Sequence, residues 1–311
     1  MTTLEPQRAT TRAIGVDLGG TKVAAGIVTD EGSIAARLEQ HTTVASEDAL
    51  LAQLDALVEE LRAEADIAAL GFGIPSRIDQ RRGRAVASVN VPLVDVDFRD
   101  RMRKRHGLPV AIDNDGNAAA IAEWHTGAAR GANHIVMLTL GTGVGGGLIL
   151  GGVPYRGATG SGAELGHIVV EVDGPPCRCG GRGHLESFAT GLAADALARD
   201  RIGPESNAHD LVRRAREGEA EALELLAGIG RYLGAAIATF VNALEPELIV
   251  IGGGFGEAAG EFLLGSAREV IAQDALPPGR DTLRIVEAQL GADAGVIGAG
   301  LIAFEALAAE S

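Results

Sequence analysis

An α/β protein made of two similar halves is predicted by three features of the sequence. Short apolar runs rich in β-branched residues alternate with stretches of helical periodicity. A strand running into a glycine turn and out again as a second strand opens each half, at 13–29 and at 134–150. The composition, 46% hydrophobic but only 3% aromatic over 311 residues, calls for an aliphatic core divided between about two domains.

In the first half, residues 13–18 (AIGVDL) read as a buried strand ending at Gly19-Gly20, and 22–29 (KVAAGIVT) as its partner. Asp30-Glu31-Gly32 turns the chain into a third strand around 33–43. Leu50, Leu51, Leu54, Leu57, Val58 and Leu61 recur at helical spacing. Residues 67–74 (IAALGFGI) return to strand and are closed by Pro75; a short basic helix near 98–106 leads to strand 109–113 (PVAID). In the second half, 134–140 (HIVMLTL) runs into the glycine run 141–147, with 147–150 leading back out. Helices follow from about 186. The longest covers 219–244, with Leu223, Leu226, Ile229, Leu233, Ile237, Val241 and Leu244 on one stripe. Residues 247–251 (ELIVI) form a strand ending at Gly252-Gly253-Gly254, 282–287 a late strand and 295–308 a final apolar helix. The expected division is a small N-terminal domain over 1–114, completed by the C-terminal helix 295–311, and a large domain over 115–294. A hinge falls at Asn114-Asp115-Gly116, and the cleft between the halves is the expected ligand site.

Charge and targeting signals narrow the function. Lys and Arg number 27 against 42 Asp and Glu, a net charge of −15, which argues against a nucleic-acid or anionic-membrane partner. The N-terminal MTTLEPQRATTR has no apolar leader core, and no run of about 18 apolar residues is read, so neither a signal peptide nor a membrane span is expected. A cytoplasmic protein is expected.

Five motifs carry chemistry. Cys177, Cys179 and His184 form CRCGGRGH, and His167 lies ten residues before the first thiol. Glycines at 180, 181 and 183 let this loop fold around an ion, and four N/S donors suit a closed, structural zinc site. The plain alternative is two free thiols in a glycine-rich turn beside unrelated histidines. Glu164 and Glu186 bracket the cluster. The turn Asp17-Leu18-Gly19-Gly20-Thr21-Lys22 allows backbone N–H groups and the Thr21 hydroxyl to face a phosphate, with Asp17 holding Mg²⁺ directly or through water; alone it is also an ordinary hairpin turn. Gly141-Thr142-Gly143 opens a second such turn, so that two hairpins could clamp a triphosphate, and Gly252-Gly253-Gly254 offers a close approach for a nucleoside. Last, Asp115 stands at a strand-to-helix junction in Asn114-Asp115-Gly116-Asn117. It reads either as a helix cap or as a general base, with Asn114 able to bind a vicinal diol.

Together these motifs resemble the ROK family of bacterial sugar kinases, in the actin/hexokinase/Hsp70 ATPase superfamily. The most specific segment is Glu164-Leu165-Gly166-His167 followed by Cys177-Arg178-Cys179-Gly180 and Gly183-His184-Leu185-Glu186. The resemblance implies a two-domain actin/hexokinase-like (ribonuclease H-like) fold with an internally duplicated mixed sheet and an interdomain cleft. It implies ATP-dependent phosphorylation of a hexose, glucose first, with Asp115 as base, and Asn90, Asn114, Glu164, His167 and Glu186 on the sugar hydroxyls. Asp17, Gly19, Gly20, Thr21, Lys22, Gly141, Thr142 and Gly143 would hold the ATP phosphates, and Gly252, Gly253 and Gly254 would lie beside the adenosine. His167, Cys177, Cys179 and His184 would bind a structural Zn²⁺, with His184 where the family usually has cysteine. Ser76-Arg77 follows Gly73-Ile74-Pro75 where the family often has Gly-Pro, which bears on hexose choice. Fructose, mannose or N-acetylmannosamine as acceptor, and polyphosphate as donor, are further possibilities within the family. So is a sugar-sensing regulator, although Asp17 has only sixteen residues before it, too few for the DNA-binding domain of the repressor branch. A homodimer or homotetramer is implied by the resemblance, as is closure of the two halves over sugar and ATP.

Overall fold

The computed structural model describes residues 10–310; the N-terminal residues 1–9, within the segment read above as lacking a leader, lie outside the described residues. The chain divides into two compact units. The first holds the residues up to Ala118 and those from Gly295 on, and the second holds Ala119–Ala294.

The first unit runs β1 (Arg12–Leu18), β2 (Lys22–Thr29), β3 (Ile34–His41), α1 (Glu47–Arg62), β4 (Ala69–Ile74), β5 (Ser76–Asp79), β6 (Arg84–Ser88), β7 (Val94–Val96), α2 (Phe98–His106), β8 (Val110–Asn114) and the start of α3 (Asp115–His125). Its main sheet has the order β3-β2-β1-β4-β8: β1, β2 and β3 pair antiparallel, while β1, β4 and β8 are parallel. Helix α1 starts at Ser46, whose hydroxyl accepts the Ala49 N–H, and carries Glu47 and Asp48 in its first turn, where the helix dipole favours them. The predicted leucine stripe Leu50, Leu54, Leu57 and Leu61 is fully buried against Ile14, Leu70 and Phe72. The basic helix α2 spends its charge on the surface, where Arg101 pairs with Glu47 and Arg105 with Asp55. Its Phe98 packs edge-on against Phe72, with ring centres 5.1 Å apart. The division between the units falls inside α3, a turn beyond the expected hinge at Asn114–Gly116.

The second unit continues with β9 (His134–Leu140), β10 (Val144–Leu150), 3₁₀ turns at Leu165–His167 and Leu185–Ser187, α4 (Gly191–Arg201), α5 (Ala208–Arg216), α6 (Ala220–Leu244), β11 (Leu248–Gly252), α7 (Gly254–Asp274), the short α8 (Gly279–Thr282) and β12 (Arg284–Glu287). Helix α9 (Ala294–Glu310) then returns the chain to the first unit. The second sheet has the order β10-β9-β11-β12, with an antiparallel β9–β10 hairpin followed by two parallel neighbours. This repeats β2-β1-β4-β8 of the first sheet, which is the internal duplication the sequence predicts. The return strand of the hairpin begins at Val144, so Gly145, Gly146 and Gly147 lie within β10 and only Gly141–Gly143 makes the turn. On α6 the expected stripe is buried from Leu226 to Val241, but Leu223 is exposed and Leu225 takes its place in the core. Helix α6 and the stretch Gly291–Glu310 are each long and apolar enough to cross a bilayer by length and composition; the apolar stripe of α6 is instead buried in the core of its own unit.

Helix α9 explains two glycines in mid-strand. A Cβ on Gly15 of β1 would run into the Val296 carbonyl, and one on Gly71 of β4 into the Ala299 carbonyl, so the helix backbone lies directly on the sheet. Because both obstacles are backbone, neither can step aside. Gly71→Ala is expected to destabilise the protein by about 3 kcal/mol or more, read as a lower midpoint in urea unfolding.

Candidate functional site

In the first unit the parallel register sets Asp17 opposite Gly73 and Gly73 opposite Asp113. A Cβ on Gly73 would lie 3.8 Å from Asp17 Oδ1 and 3.6 Å from Asp115 Cα, so this small residue separates two acidic positions at the C-terminal ends of β1 and β8. Burial, then the neighbouring Asp115 carboxylate, push the Asp17 carboxyl up to about 7, against a smaller opposing pull from Arg37. Burial likewise raises Asp115, while the Gly116 N–H, donating to its Oδ1 at 2.9 Å, works the other way. The helix start is capped chiefly by Asn114. Its Oδ1 accepts the N–H of Gly116 at 2.8 Å and of Asn117 at 3.4 Å, and its amide donates to the Ser76 carbonyl at 3.4 Å. Asn114 therefore has less hydrogen-bonding capacity to spare than a free amide.

Two neighbours fix this arrangement; the sequence reading passes over Asp113 and notes Ser76 only for its bearing on hexose choice. Asp113 is fully buried and accepts the Asn114 N–H at 2.8 Å and the Asn117 amide at 2.9 Å. Ser76 is buried and donates to the Ala87 carbonyl at 2.9 Å, tying β5 to β6 just where Asn114 is held. The Asn/Asp pattern at 113, 114, 115 and 117 is the available signal for Asp113, since a carboxylate at the end of a strand can accept from an amide in the first turn of the helix that follows.

The β1–β2 turn is closed by Gly19 N–H donating to the Lys22 carbonyl at 2.9 Å and by the Thr42 hydroxyl donating to the Gly19 carbonyl at 2.8 Å. A Cβ on Gly20 would come 2.8 Å from Asn90 Cβ, so this turn and the exposed Asn90 are direct neighbours. Thr21 is exposed. The Lys22 ammonium is occupied by Glu39 at 2.7 Å. The pair lies on the exposed sheet surface, and the turn itself offers its backbone and the exposed Thr21 side chain.

In the second unit the turn Gly141-Thr142-Gly143 closes with Gly141 N–H donating to the Gly143 carbonyl at 2.9 Å, and Gly191 N–H, from the start of α4, donates to the Gly141 carbonyl at 2.9 Å. Glu186 Oε2 accepts the Val144 N–H at 3.1 Å. Gly252 ends β11, and Gly253 follows at φ +83°, pressed so close to Leu140 that a Cβ would fall 2.7 Å from its nitrogen. Only glycine fits both demands. Gly254 then opens α7 with open space where a side chain would be. Glu164 is exposed on the residue before the 3₁₀ turn that carries His167.

His167, Cys177, Cys179 and His184 come together with one donor atom each, all within 4.8 Å of one another. Cys177 Sγ is 3.8 Å from His167 Nδ1, and Cys179 Sγ is 3.3 Å from His184 Nδ1. A tetrahedral zinc with Zn–S about 2.3 Å and Zn–N about 2.0–2.1 Å sets sulfur–nitrogen edges at about 3.5 Å, midway between these gaps. The loop is held in this shape by its own backbone: Cys177 N–H donates to the Gly181 carbonyl at 2.8 Å and Gly180 N–H to the Cys177 carbonyl at 3.0 Å. Donor types and number, and these two sulfur–nitrogen gaps, fit a structural zinc.

A family model described as "ROK family" matches residues 13–306. A glucokinase of Thermotoga maritima is 37% identical over 308 residues, covering 94% of this chain and 96% of its own. Among solved structures, a ROK hexokinase from Thermus thermophilus superposes with a TM-score of 0.84 at 34% identity, covering 96% of this chain and all of its own. A ROK family glucokinase from Streptomyces griseus, solved with glucose and AMPPNP, superposes with a TM-score of 0.82 at 32% identity, covering 94% and 99%.

Proposed function

The chain belongs to the ROK family and has its two-domain actin/hexokinase-like fold, and on that premise we propose that it is a sugar kinase that transfers the γ-phosphoryl group of ATP to the 6-hydroxyl of glucose. The observation that carries this reading is the place of Asp115 at the head of α3, across Gly73 from Asp17, with its carboxyl raised above the ordinary range chiefly by desolvation, in a chain related end to end to glucokinases. Asp115 accepts the proton of the attacking hydroxyl. The transfer is otherwise a matter of positioning and charge stabilisation, because the transferred group is largely dissociated from both oxygens at the transition state. Asn90, Asn114, Glu164, His167 and Glu186 hold the sugar hydroxyls. The backbone of Gly19, Gly20 and Thr21 and of Gly141, Thr142 and Gly143 receives the phosphates, and Gly252–Gly254 makes room for the adenosine. Asp17 would hold Mg²⁺, directly or through water, and the ion would neutralise charge on the phosphates. Lys22, paired with Glu39, serves through its backbone.

The four-residue cluster holds zinc in this reading, and ligation fixes the His167 ring so that its other nitrogen faces a sugar hydroxyl. Protein prepared without added metal is expected to contain close to one zinc per chain by elemental analysis. Cys177→Ala is expected to lose the metal and to bind glucose more weakly, because His167 loses its anchor. Freely reactive thiols in a native protein devoid of zinc would overturn the assignment.

The experiment for the kinase reading is ADP release from ATP over glucose, fructose, mannose and N-acetylmannosamine, with polyphosphate as a second donor scored by sugar phosphate formed. The highest kcat/KM is expected with glucose and ATP. A preference for another hexose moves the assignment within the family and traces to the Ser76 loop, while no turnover with any of them removes it.

A further inference from the structure

Glu186 stands between two devices in the second unit. It lies two residues after His184, in the 3₁₀ turn Leu185–Ser187. Its Oε1 is 3.8 Å from Cys177 Sγ of the Cys/His cluster, and its Oε2 accepts the N–H of Val144, the residue directly after the Gly141–Gly143 turn, at 3.1 Å. Gly143 keeps this approach open, since a Cβ there would come 2.6 Å from Glu186 Oε2. The same stretch of chain holds the other end of the turn. The Thr190 hydroxyl donates to the Glu186 carbonyl at 3.2 Å, and the next residue, Gly191, donates its N–H to the Gly141 carbonyl at 2.9 Å. Residues 186–191 thus grip the glycine turn at both ends, Val144 and Gly141, from a base fixed by the cluster.

We propose that Glu186 is a positioning residue that couples the two substrates: sugar held beside the Cys/His cluster fixes the Glu186 carboxylate, and through the Val144 N–H this fixes the turn that receives the nucleotide's phosphates. The inference rests on the kinase reading above. A carboxylate has about four lone-pair sites, so a sugar hydroxyl and the Val144 N–H are accepted together. Sugar that binds the Glu186 carboxylate in the conformation that accepts the Val144 N–H favours that conformation over the others the side chain can take, and a nucleotide that binds the turn in the same arrangement then binds more tightly. Reciprocity requires the nucleotide to tighten sugar by the same factor.

Calorimetric titration of Mg²⁺–AMPPNP with and without saturating glucose, and of glucose with and without AMPPNP, reads this factor directly. The expected coupling is about 5-fold or more and equal in both directions. Gly143→Ala pushes the carboxylate off Val144; because Gly143 also belongs to the turn that receives the phosphates, nucleotide alone binds more weakly, and the coupling factor, taken as the ratio of affinities with and without the other ligand, falls below about 2-fold. Glu186→Asp withdraws the carboxylate by one methylene and repeats that loss. Glu186→Gln still offers Val144 an acceptor oxygen, so glucose alone binds more weakly while the factor persists; a purely structural Glu186 would not separate these variants. Both ligands binding the wild-type protein with no mutual effect, or both Gly143→Ala and Glu186→Asp keeping the wild-type factor, overturns the inference and leaves the kinase reading standing. Glucose that fails to bind at all overturns both.

Discussion

Asp115→Asn lowers kcat for glucose phosphorylation by about 10²–10⁴-fold and leaves glucose affinity within a few fold of wild type. The amide has the size of the carboxyl and can still accept the Gly116 N–H, so the helix start survives, and Asn114 carries most of the capping in any case. What the amide cannot do is take the proton of the attacking hydroxyl. Near-wild-type kcat would reduce Asp115 to part of the helix cap. Loss of glucose binding, measured by calorimetry, would make it chiefly a binding residue.

Asp17→Asn stabilises the metal-free protein above neutral pH and removes activity. The folded protein holds the Asp17 proton up to about pH 7, whereas the same carboxyl has an ordinary value of 3.8 when unperturbed. The folded state therefore binds this proton more tightly than the unfolded state, and stability falls as pH rises from about 4 to about 7. Below that window the residue is neutral in both states and costs nothing. Above it the full penalty is present, on the order of a few kcal/mol. Asparagine has no such penalty. Urea unfolding in EDTA should show variant and wild type nearly equal at pH 4 and the variant more stable at pH 8. An equal gap at both values would mean that Asp17 is not a buried, proton-holding carboxyl. The destabilisation has a function in this account, since a carboxylate crowded by Asp115 is one that gains most when a cation arrives.

The two hairpins are legible in the sequence because β1 and β9 are short continuous apolar runs, buried almost throughout and each ending in a glycine turn, and the leucine stripe of α1 is legible because its burial follows a period between three and four. The small sheet of β5, β6 and β7 is not. Its strands are three to five residues long, carry arginines and aspartates, and pair with one another rather than with a larger sheet. Helix α7 is hidden by its own start: Gly252-Gly253-Gly254 reads as a loop, whereas the chain turns at Gly253 and is helical from Gly254 on. The Cys/His cluster is legible because its four donors lie close in sequence, and local spacing determines local geometry. Residues that act across sequence distance are invisible by that route. Glu123 looks like an ordinary helix-surface acid, yet it is fully buried and accepts the backbone N–H groups of Ala128, Gln289 and Leu290. The grip of Glu186 on Val144, 42 residues away, is of the same kind.

The most direct test of the account is the product itself: purified protein, ATP, Mg²⁺ and glucose labelled with ¹³C at carbon 6, followed by ³¹P and ¹³C NMR. Glucose 6-phosphate should accumulate in step with ADP, with phosphorus coupling appearing on the labelled carbon. Phosphate on another carbon, or ATP consumed to ADP and inorganic phosphate with the sugar unchanged, would contradict it.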